Sequence, residues 1–148
     1  MSPTQRSLDK WRKLGYSVCV VEKWVPASPA GFKGPIITRD AFNFGDLLAC
    51  KVGVNGALLV QTTSGANVSA RVQKIRGISE AEVWLAAGNR IVVDGWRKVG
   101  PRGKRKLWEC REIVIMAEKR CNKCGVPLHD HEVKAWENMD AAFCNNCS

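Results

Sequence analysis

The chain has 148 residues, 45% of them hydrophobic, and a formal net charge of +9. No apolar run approaches the roughly 20 residues that cross a bilayer, and no apolar stretch follows the N-terminus, so we expect a soluble cytoplasmic protein. Residues 1–117 carry 19 Lys and Arg against 9 Asp and Glu, whereas residues 118–148 carry 4 against 5. The excess of basic residues in 1–117 favours binding to a polyanion, such as nucleic acid, over a role in solubility alone.

The first half of the chain predicts one helix followed by strands. Ser2-Pro3-Thr4-Gln5 resembles a capping box with proline at the first helical position, and it predicts a helix to about Leu14, ended by Gly15. Residues 16–25 are rich in β-branched side chains and predict a strand, and the Pro/Gly-rich residues 26–35 predict a loop. Residues 46–52 and 57–63 predict two central strands joined by a turn at Asn55-Gly56.

The second half predicts two helices and two more strands. Val68, Val72 and Ile75 stand at helical spacing after Ser64, which we expect to cap that helix. Ser79 and Glu82 predict a capping box for a short helix closed by Gly88, and residues 90–96 and 107–116 predict strands. The order is typical of an α/β domain, with a mixed central sheet and flanking helices over residues 1–117, followed by a separate module at 118–148.

Polar residues on the two central strands predict a candidate catalytic site. Side chains alternate along a strand, so Gln61 and Thr63 point to the same side, and Asp46 begins the neighbouring strand. Hard oxygen ligands at one sheet edge suit Mg²⁺ or Mn²⁺, which activates water and neutralises charge on a phosphate. The competing interpretation is an ordinary polar strand face beside a turn aspartate.

This arrangement resembles the PD-(D/E)XK, or restriction-endonuclease-like, nuclease superfamily, and most of all its small Holliday-junction-resolvase-like members from archaea and phages. The resemblance covers roughly residues 3–95 and rests on Leu14-Gly15-Tyr16, Gly45-Asp46 and Gln61-Thr62-Thr63. It implies that Asp46 is a metal-binding aspartate, that Gln61 replaces the second acid, and that Thr63 replaces the lysine. It also implies a bacterial or phage-infected cell, branched DNA as substrate and a homodimer.

The departures from the family pattern leave the chemistry open. A threonine cannot supply a positive charge to the transition state, as a lysine would. Glu22 is a candidate for the missing carboxylate, although a surface acid beside Lys23 is an equal alternative, and Lys51 and Arg71 are candidate cations. Gln5 lies near the place where the resolvase-like branch has a helix glutamate.

Two C-x₂-C pairs near the C-terminus predict a structural zinc module. The pairs are separated by 19 residues and consist of Cys121, Cys124, Cys144 and Cys147. Four thiolates at this spacing fit a closed tetrahedral Zn²⁺ site, and so short a module requires the metal to fold. The module resembles a zinc ribbon or treble clef. His129 and His131 lie between the pairs and are not needed as ligands.

A basic segment between the last two predicted strands is a candidate DNA contact. Six cations lie within ten residues, namely Arg97, Lys98, Arg102, Lys104, Arg105 and Lys106. They would bind phosphates without reading sequence, and we add Arg71 and Lys74 of the predicted helix to them. Trp96 and Trp108 flank the segment, and we expect them to pack in the core rather than to stack on an unpaired base.

Three functions therefore remain. The first is a metal-dependent DNA endonuclease. The second is an inactive relative that only binds DNA or DNA junctions. The third is a phage adaptor that docks on a host protein through the zinc module, whose slightly negative charge of −1 favours docking over DNA contact.

Overall fold

A computed structural model describes residues 1–26, 36–117 and 121–124. The chain divides into two compact units, residues 1–116 and residues 117–148, and the secondary structure described below belongs to the first. That unit is a mixed α/β domain with a five-stranded sheet and flanking helices. In the described part of the chain, no helix has both the length and the apolar character needed to cross a membrane.

The N-terminal helix forms as its sequence predicts. Helix α1 spans Pro3–Lys13, Ser2 caps it by accepting a hydrogen bond from the Gln5 backbone N–H, and proline occupies the first turn. Gly15 follows with φ +87°, a conformation that glycine adopts without strain, and so ends the helix. Ser7, Leu8 and Trp11 are its buried residues.

The region between residues 16 and 39 differs from the single strand predicted at 16–25. The structure has β1 at Ser17–Val20 and β2 at Lys23–Pro26, which pairs with β3 at Ile36–Arg39 in a separate two-stranded sheet. The chain changes sheet at Val21, whose N–H donates to the Asp46 carbonyl at 2.9 Å. β-branched composition predicts strands but does not show where one sheet gives way to another.

The main sheet has the strand order β1-β4-β5-β6-β7. Strand β4 spans Leu47–Cys50, β5 Leu58–Ser64, β6 Arg90–Val99 and β7 Leu107–Ile115. The pair β5 and β6 is parallel, and the other neighbouring strands are antiparallel.

Two helices make the crossover between the parallel strands. A 3₁₀ turn at Gly65–Asn67 leads into α2 at Val68–Arg76, and α3 spans Ser79–Ala86. The caps predicted for these two helices were wrong. Ser64 ends β5 and makes no side-chain capping bond, and Ser79 is the first residue of α3, after Ile78 at the cap position.

The core lies on both faces of the sheet. Helix α1 covers one face through Leu8 and Trp11, against a cluster that includes Leu58 and Val60. Helices α2 and α3 cover the other face, where Leu59 lies. Strand β5 is therefore buried on both sides, which makes every polar group near its C-terminal end costly unless it is hydrogen-bonded or functional.

Candidate active site

A cavity of about 220 Å³ lies where β5 nears its end and β4 begins. It is bounded by the first turn of α1, by α2 and by the segments before β2 and β4. Its lining is mostly polar and consists of Pro3, Thr4, Glu22, Asp40, Asp46, Gln61, Thr62 and Arg71. Three carboxylates and one guanidinium therefore face one small space.

Asp46 is held at the head of β4 by a tight loop. Residues Ala41 and Gly45 pair as an isolated bridge, and Phe42 and Asn43 between them adopt positive φ angles of 52° and 67°. Gly45 has no room for a side chain, because an added Cβ would lie 2.5 Å from Leu59 Cγ. The Asp46 N–H then donates to the Val60 carbonyl at 2.9 Å, which fixes the aspartate beside β5.

One oxygen of the Asp46 carboxylate accepts every hydrogen bond that this side chain makes. Oδ2 accepts from the Thr62 backbone N–H at 2.7 Å, from Thr62 Oγ1 at 2.7 Å and from Gln61 Nε2 at 2.8 Å. Thr62 Oγ1 also lies 3.0 Å from Thr4 Oγ1, which links the site to α1. Oδ1 accepts no hydrogen bond from the described residues, so one oxygen remains for a ligand.

The charge of Asp46 is not neutralised by a cation of the described chain. Burial raises the pKa of Asp46 to about 6, the hydrogen bonds from Thr62 oppose this shift, and the negative charges of Asp40 and Glu22 add to it. Asp46 is 6% exposed, and no salt bridge of the described residues includes it. A buried acid that repels its acidic neighbours is a favourable place for a bound cation.

The other charged side chains of the lining are unpaired within the described chain. The carboxylates of Glu22 and Asp40 and the guanidinium of Arg71 make no hydrogen bond or salt bridge among residues 1–26, 36–117 and 121–124. Glu22 directly follows Val21, whose N–H holds this segment against Asp46. Their side chains are therefore available to a ligand in the cavity.

Gln61 contains an orphaned polar atom. Its amide nitrogen donates to Asp46 and to the Thr62 carbonyl, but its Oε1 is buried and has no partner in the described structure. A buried acceptor without a donor costs about 1–3 kcal/mol, so we expect a water molecule or a ligand at this atom. An amide oxygen beside a carboxylate suits a hydrated divalent cation, which prefers hard oxygen ligands.

The residues fit a hydrated Mg²⁺ or Mn²⁺ better than a fully protein-bound metal. Within the described ranges, no group of three His, Cys, Asp or Glu side chains is close enough to form a metal cluster. Mg²⁺ keeps several waters and is usually bound through one or two carboxylates. Asp46 Oδ1 and Gln61 Oε1 would thus be direct ligands, with Asp40 and Glu22 acting through water.

The structure brings Glu22, Asp46, Gln61 and Arg71 to the cavity and leaves Thr63 outside its lining. Thr63 is buried on β5 opposite Gly95 of β6. Lys51 donates to the Leu14 carbonyl, and Gln5 donates to Asp9, so neither lines the cavity.

Asp40 also lines the cavity and was not predicted from the sequence. It lies six residues before Asp46, on the other side of the tight loop. The Asn-Phe-Gly turn between the two aspartates was the available signal. A chain that reverses there brings residues 40 and 46 together.

The loop of the basic segment is shorter than predicted, because β6 extends to Val99 rather than ending at residue 96. Arg97 and Lys98 lie in the strand, and the loop covers residues 100–106. All six cations are exposed, and Arg97 lies 3.6 Å from Glu109. Lys74 of α2 donates to the Asn43 carbonyl at 2.8 Å and so supports the loop that carries Asp46.

The predicted zinc module lies mostly outside the described residues. The described pair is Cys121, which is buried, and Cys124, which is exposed at the end of a turn. Cys144, Cys147, His129 and His131 fall beyond the described range.

Comparison of the chain with models of known protein families, with curated proteins and with solved structures gave no match. Its function must therefore be inferred from the geometry and charge of its own residues. The polar cavity at the head of β4 is the feature from which that inference begins.

Proposed function

We propose that this protein is a metal-dependent endonuclease that acts on DNA. One observation carries the proposal: four charged side chains line the same cavity and make no ion pair with any described residue, namely those of Glu22, Asp40, Asp46 and Arg71. The hydrogen bonds that the described residues make to these charged groups come from neutral donors and reach a single oxygen of Asp46. A structural cluster would pair these charges with one another. A site for a cation and a phosphate requires them to stay available.

The residues have distinct roles in this proposal. Asp46 Oδ1 and Gln61 Oε1 bind the cation, while the three donors to Asp46 Oδ2 hold the carboxylate in one orientation. Asp40 and Glu22 bind water around it. When bound, Mg²⁺ or Mn²⁺ supplies Lewis acidity, which lowers the pKa of a water molecule and neutralises charge on the scissile phosphate.

Arg71 supplies the positive charge that Thr63 does not. It lies on α2 and lines the same cavity as the acids, and no described acid pairs with it. A guanidinium binds two phosphate oxygens at once, so Arg71 both orients the phosphodiester and stabilises charge in the transition state. The PD-(D/E)XK resemblance is supported by the presence of Asp46 and Gln61 in one site.

DNA as the substrate is supported by the charge of the domain. The exposed loop and strand ends at 97–106 present six cations on the domain that carries the cavity. Contacts of this kind give affinity for any phosphate backbone. Cleavage specificity would then come from DNA shape.

The second candidate is a protein that binds DNA without cutting it. It is favoured by the three neutral donors that already satisfy Asp46 Oδ2 and by the position of Thr63 outside the lining. Under this alternative the acids would be a remnant of a site that no longer binds metal.

Cleavage of labelled duplex, branched and single-stranded DNA distinguishes the two candidates. We expect the wild type to cut with Mg²⁺ or Mn²⁺, to stop with EDTA and to recover when excess Mg²⁺ is restored. Asp46→Ala should lower the rate at least roughly a hundredfold because it removes the oriented ligand. Glu80→Gln, which changes an exposed acid on α3, is the matched control and should cut normally.

Two results would count against the proposal. Persistent cutting by Asp46→Ala would place the active site elsewhere. Absence of cutting by the wild type, with DNA binding intact, would favour the second candidate.

For residues 118–148 the proposal is a structural Zn²⁺ site formed by the four cysteines of the C-x₂-C pairs. Its support is their spacing. Elemental analysis of the folded protein should give about one zinc per chain. A folded preparation without zinc would exclude the site.

A further inference from the structure

Trp108 is an exposed aromatic side chain next to the basic loop. It is the second residue of β7 and lies directly opposite Lys98 of β6. Trp108 is 43% exposed, and the described indole hydrogen bonds are made by Trp11, Trp84 and Trp96 and not by Trp108. A tryptophan that serves only the core is normally more buried and uses its N–H.

Trp96 shows the structural alternative in the same hairpin. It is partly buried, and its indole Nε1 donates to Ser7 Oγ of α1 at 2.9 Å. The expectation that both tryptophans pack in the core therefore suits Trp96 and not Trp108.

Two cations lie over the Trp108 ring. The Arg6 guanidinium carbon is 3.8 Å from the ring centroid, and Lys98 Nζ is 5.3 Å from it. Arg6 forms no salt bridge with an acid of the described residues. Trp108 and Arg6 thus combine a flat aromatic surface with positive charge that no described acid neutralises. This combination binds a base and its phosphate.

Helix α1 connects this surface to the acidic cavity. Pro3 and Thr4 line the cavity, and Arg6, half a turn further, stacks on Trp108. Thr62 is level with Asp94 and Trp108 is level with Lys98, which is four residues further along β6. Strand β7 is two strands from β5. The distance between Thr62 and Trp108 is therefore roughly 16 Å, at about 3.3 Å per residue and 4.8 Å per strand. That distance spans about five nucleotides of a stacked strand at 3.4 Å each.

We propose that Trp108, backed by Arg6, is a stacking platform for an unpaired base, so that the substrate is DNA with a single-stranded overhang or flap beside a duplex. This inference rests on the proposed nuclease function and specifies its substrate. The duplex phosphates contact the basic loop, and the unpaired strand stacks on Trp108 within a few nucleotides of the cavity. A fully paired duplex offers no base to the platform.

Fluorescence anisotropy in buffer without Mg²⁺ tests this, because no strand is cut. The DNAs are a labelled blunt duplex and the same duplex with an overhang at either end. We expect the wild type to bind one overhang DNA about 5- to 100-fold more tightly than the blunt duplex, the scale of stacking one base. Trp108→Ala should remove this ratio, and Trp108→Tyr should retain most of it.

Two controls separate stacking from other effects. Leu107→Ala changes a neighbouring side chain that is 64% exposed and points to the other face of β7, so it should leave the ratio unchanged. Alanine at Arg102, Lys104, Arg105 and Lys106 should weaken binding of blunt and overhang DNA alike and flatten the salt dependence.

The inference would be overturned if the wild type bound overhang and blunt DNA equally tightly, or if Trp108→Ala kept the wild-type preference for overhang DNA. It would also be overturned if Trp108→Ala lost the same affinity for both DNAs. The outcome is separable from that for the nuclease proposal. A wild type that cuts DNA but shows no ratio refutes the platform alone, and one that shows the ratio but does not cut refutes catalysis alone.

Discussion

Two buried aspartates, Asp46 and Asp94, lie on neighbouring parts of the same sheet in opposite electrostatic settings. Asp94 is 0% exposed, yet Lys10 Nζ lies 2.7 Å from its Oδ1 and Trp11 Nε1 donates to its Oδ2 at 2.9 Å. Asp46 is almost as buried, but its three donors are neutral and its charged neighbours in the cavity include two more acids. Both aspartates are hydrogen-bonded, and only Asp94 has a described counter-charge.

The difference separates a carboxylate that is paired within the fold from one that we propose binds a cation. Burial by itself would lower the pKa of Lys10, but its hydrogen bonds to Asp94 and Glu112 raise it, so the ammonium is charged at neutral pH and completes a closed cluster. The nearby Cys110 thiol has its pKa raised to about 12, chiefly by burial and then by the Asp94 charge, so it stays protonated and unreactive. At Asp46 no cation of the described residues has this role, and the proposed metal site depends on that difference.

The largest expected effect is on the closed cluster. Asp94→Ala should lower the free energy of unfolding by about 2–4 kcal/mol, because it leaves the Lys10 charge half-paired and the Trp11 N–H buried without an acceptor. Glu112→Gln is the matched control. It removes a carboxylate whose side chain is 40% exposed and should cost less than about 1 kcal/mol.

Urea unfolding measures both variants. Cleavage by Asp94→Ala, assayed well below its unfolding midpoint, should remain near that of the wild type. Loss of cleavage in a folded Asp94→Ala protein would mean that the two aspartates are not functionally separate.

Sequence patterns located Asp46 and Gln61 because both depend on local features, the head of a strand and the alternation along it. They did not locate Asp40, since its approach to Asp46 depends on the positive φ angles of Phe42 and Asn43. The Lys10–Asp94 pair joins residues 84 positions apart and has no local signature. Strand alternation also placed Thr63 with Gln61, but only Gln61 of the two lines the cavity.

A smaller effect, of opposite sign, is expected at Asp46. Its folded-state pKa of about 6 lies above the ordinary aspartate value of 3.8, so ionisation opposes folding, and stability is lost as pH rises from about 4 to 6. Asp46→Asn keeps an oxygen for the Thr62 donors and removes the charge. It should therefore stabilise the protein by about 1–2 kcal/mol at pH 8 and by nearly nothing at pH 4.

Thermal or urea unfolding without added divalent metal gives this comparison. Glu80→Gln, at an exposed site, should show no such pH-dependent gain. A destabilised Asp46→Asn protein at pH 8 would mean that the carboxylate is neutralised and belongs with Asp94.

The smallest expected effect concerns Gln61, whose Nε2 now donates to Asp46 at 2.8 Å. Gln61→Glu replaces that donor with a second carboxylate, so the two acids repel and share a proton more readily as the pH falls. A divalent cation relieves the repulsion, and hard carboxylate ligands bind Mg²⁺ more strongly than an amide does. We therefore expect Mg²⁺ affinity to rise about tenfold at pH 8, or about 1.4 kcal/mol, with cleavage preserved or increased.

The gain in Mg²⁺ affinity should disappear below about pH 6, where protons compete with the cation for the same carboxylate oxygens. Mg²⁺ titrations of cleavage rate and of thermal midpoint, at pH 8 and pH 5.5, measure this for Gln61→Glu and for Gln61→Leu. The leucine variant supplies no ligand and should lose affinity at both pH values. If Gln61→Glu instead bound Mg²⁺ no better than Gln61→Leu, then position 61 would only orient Asp46, and the cation would be held by Asp46 together with Asp40 and Glu22 of the same lining.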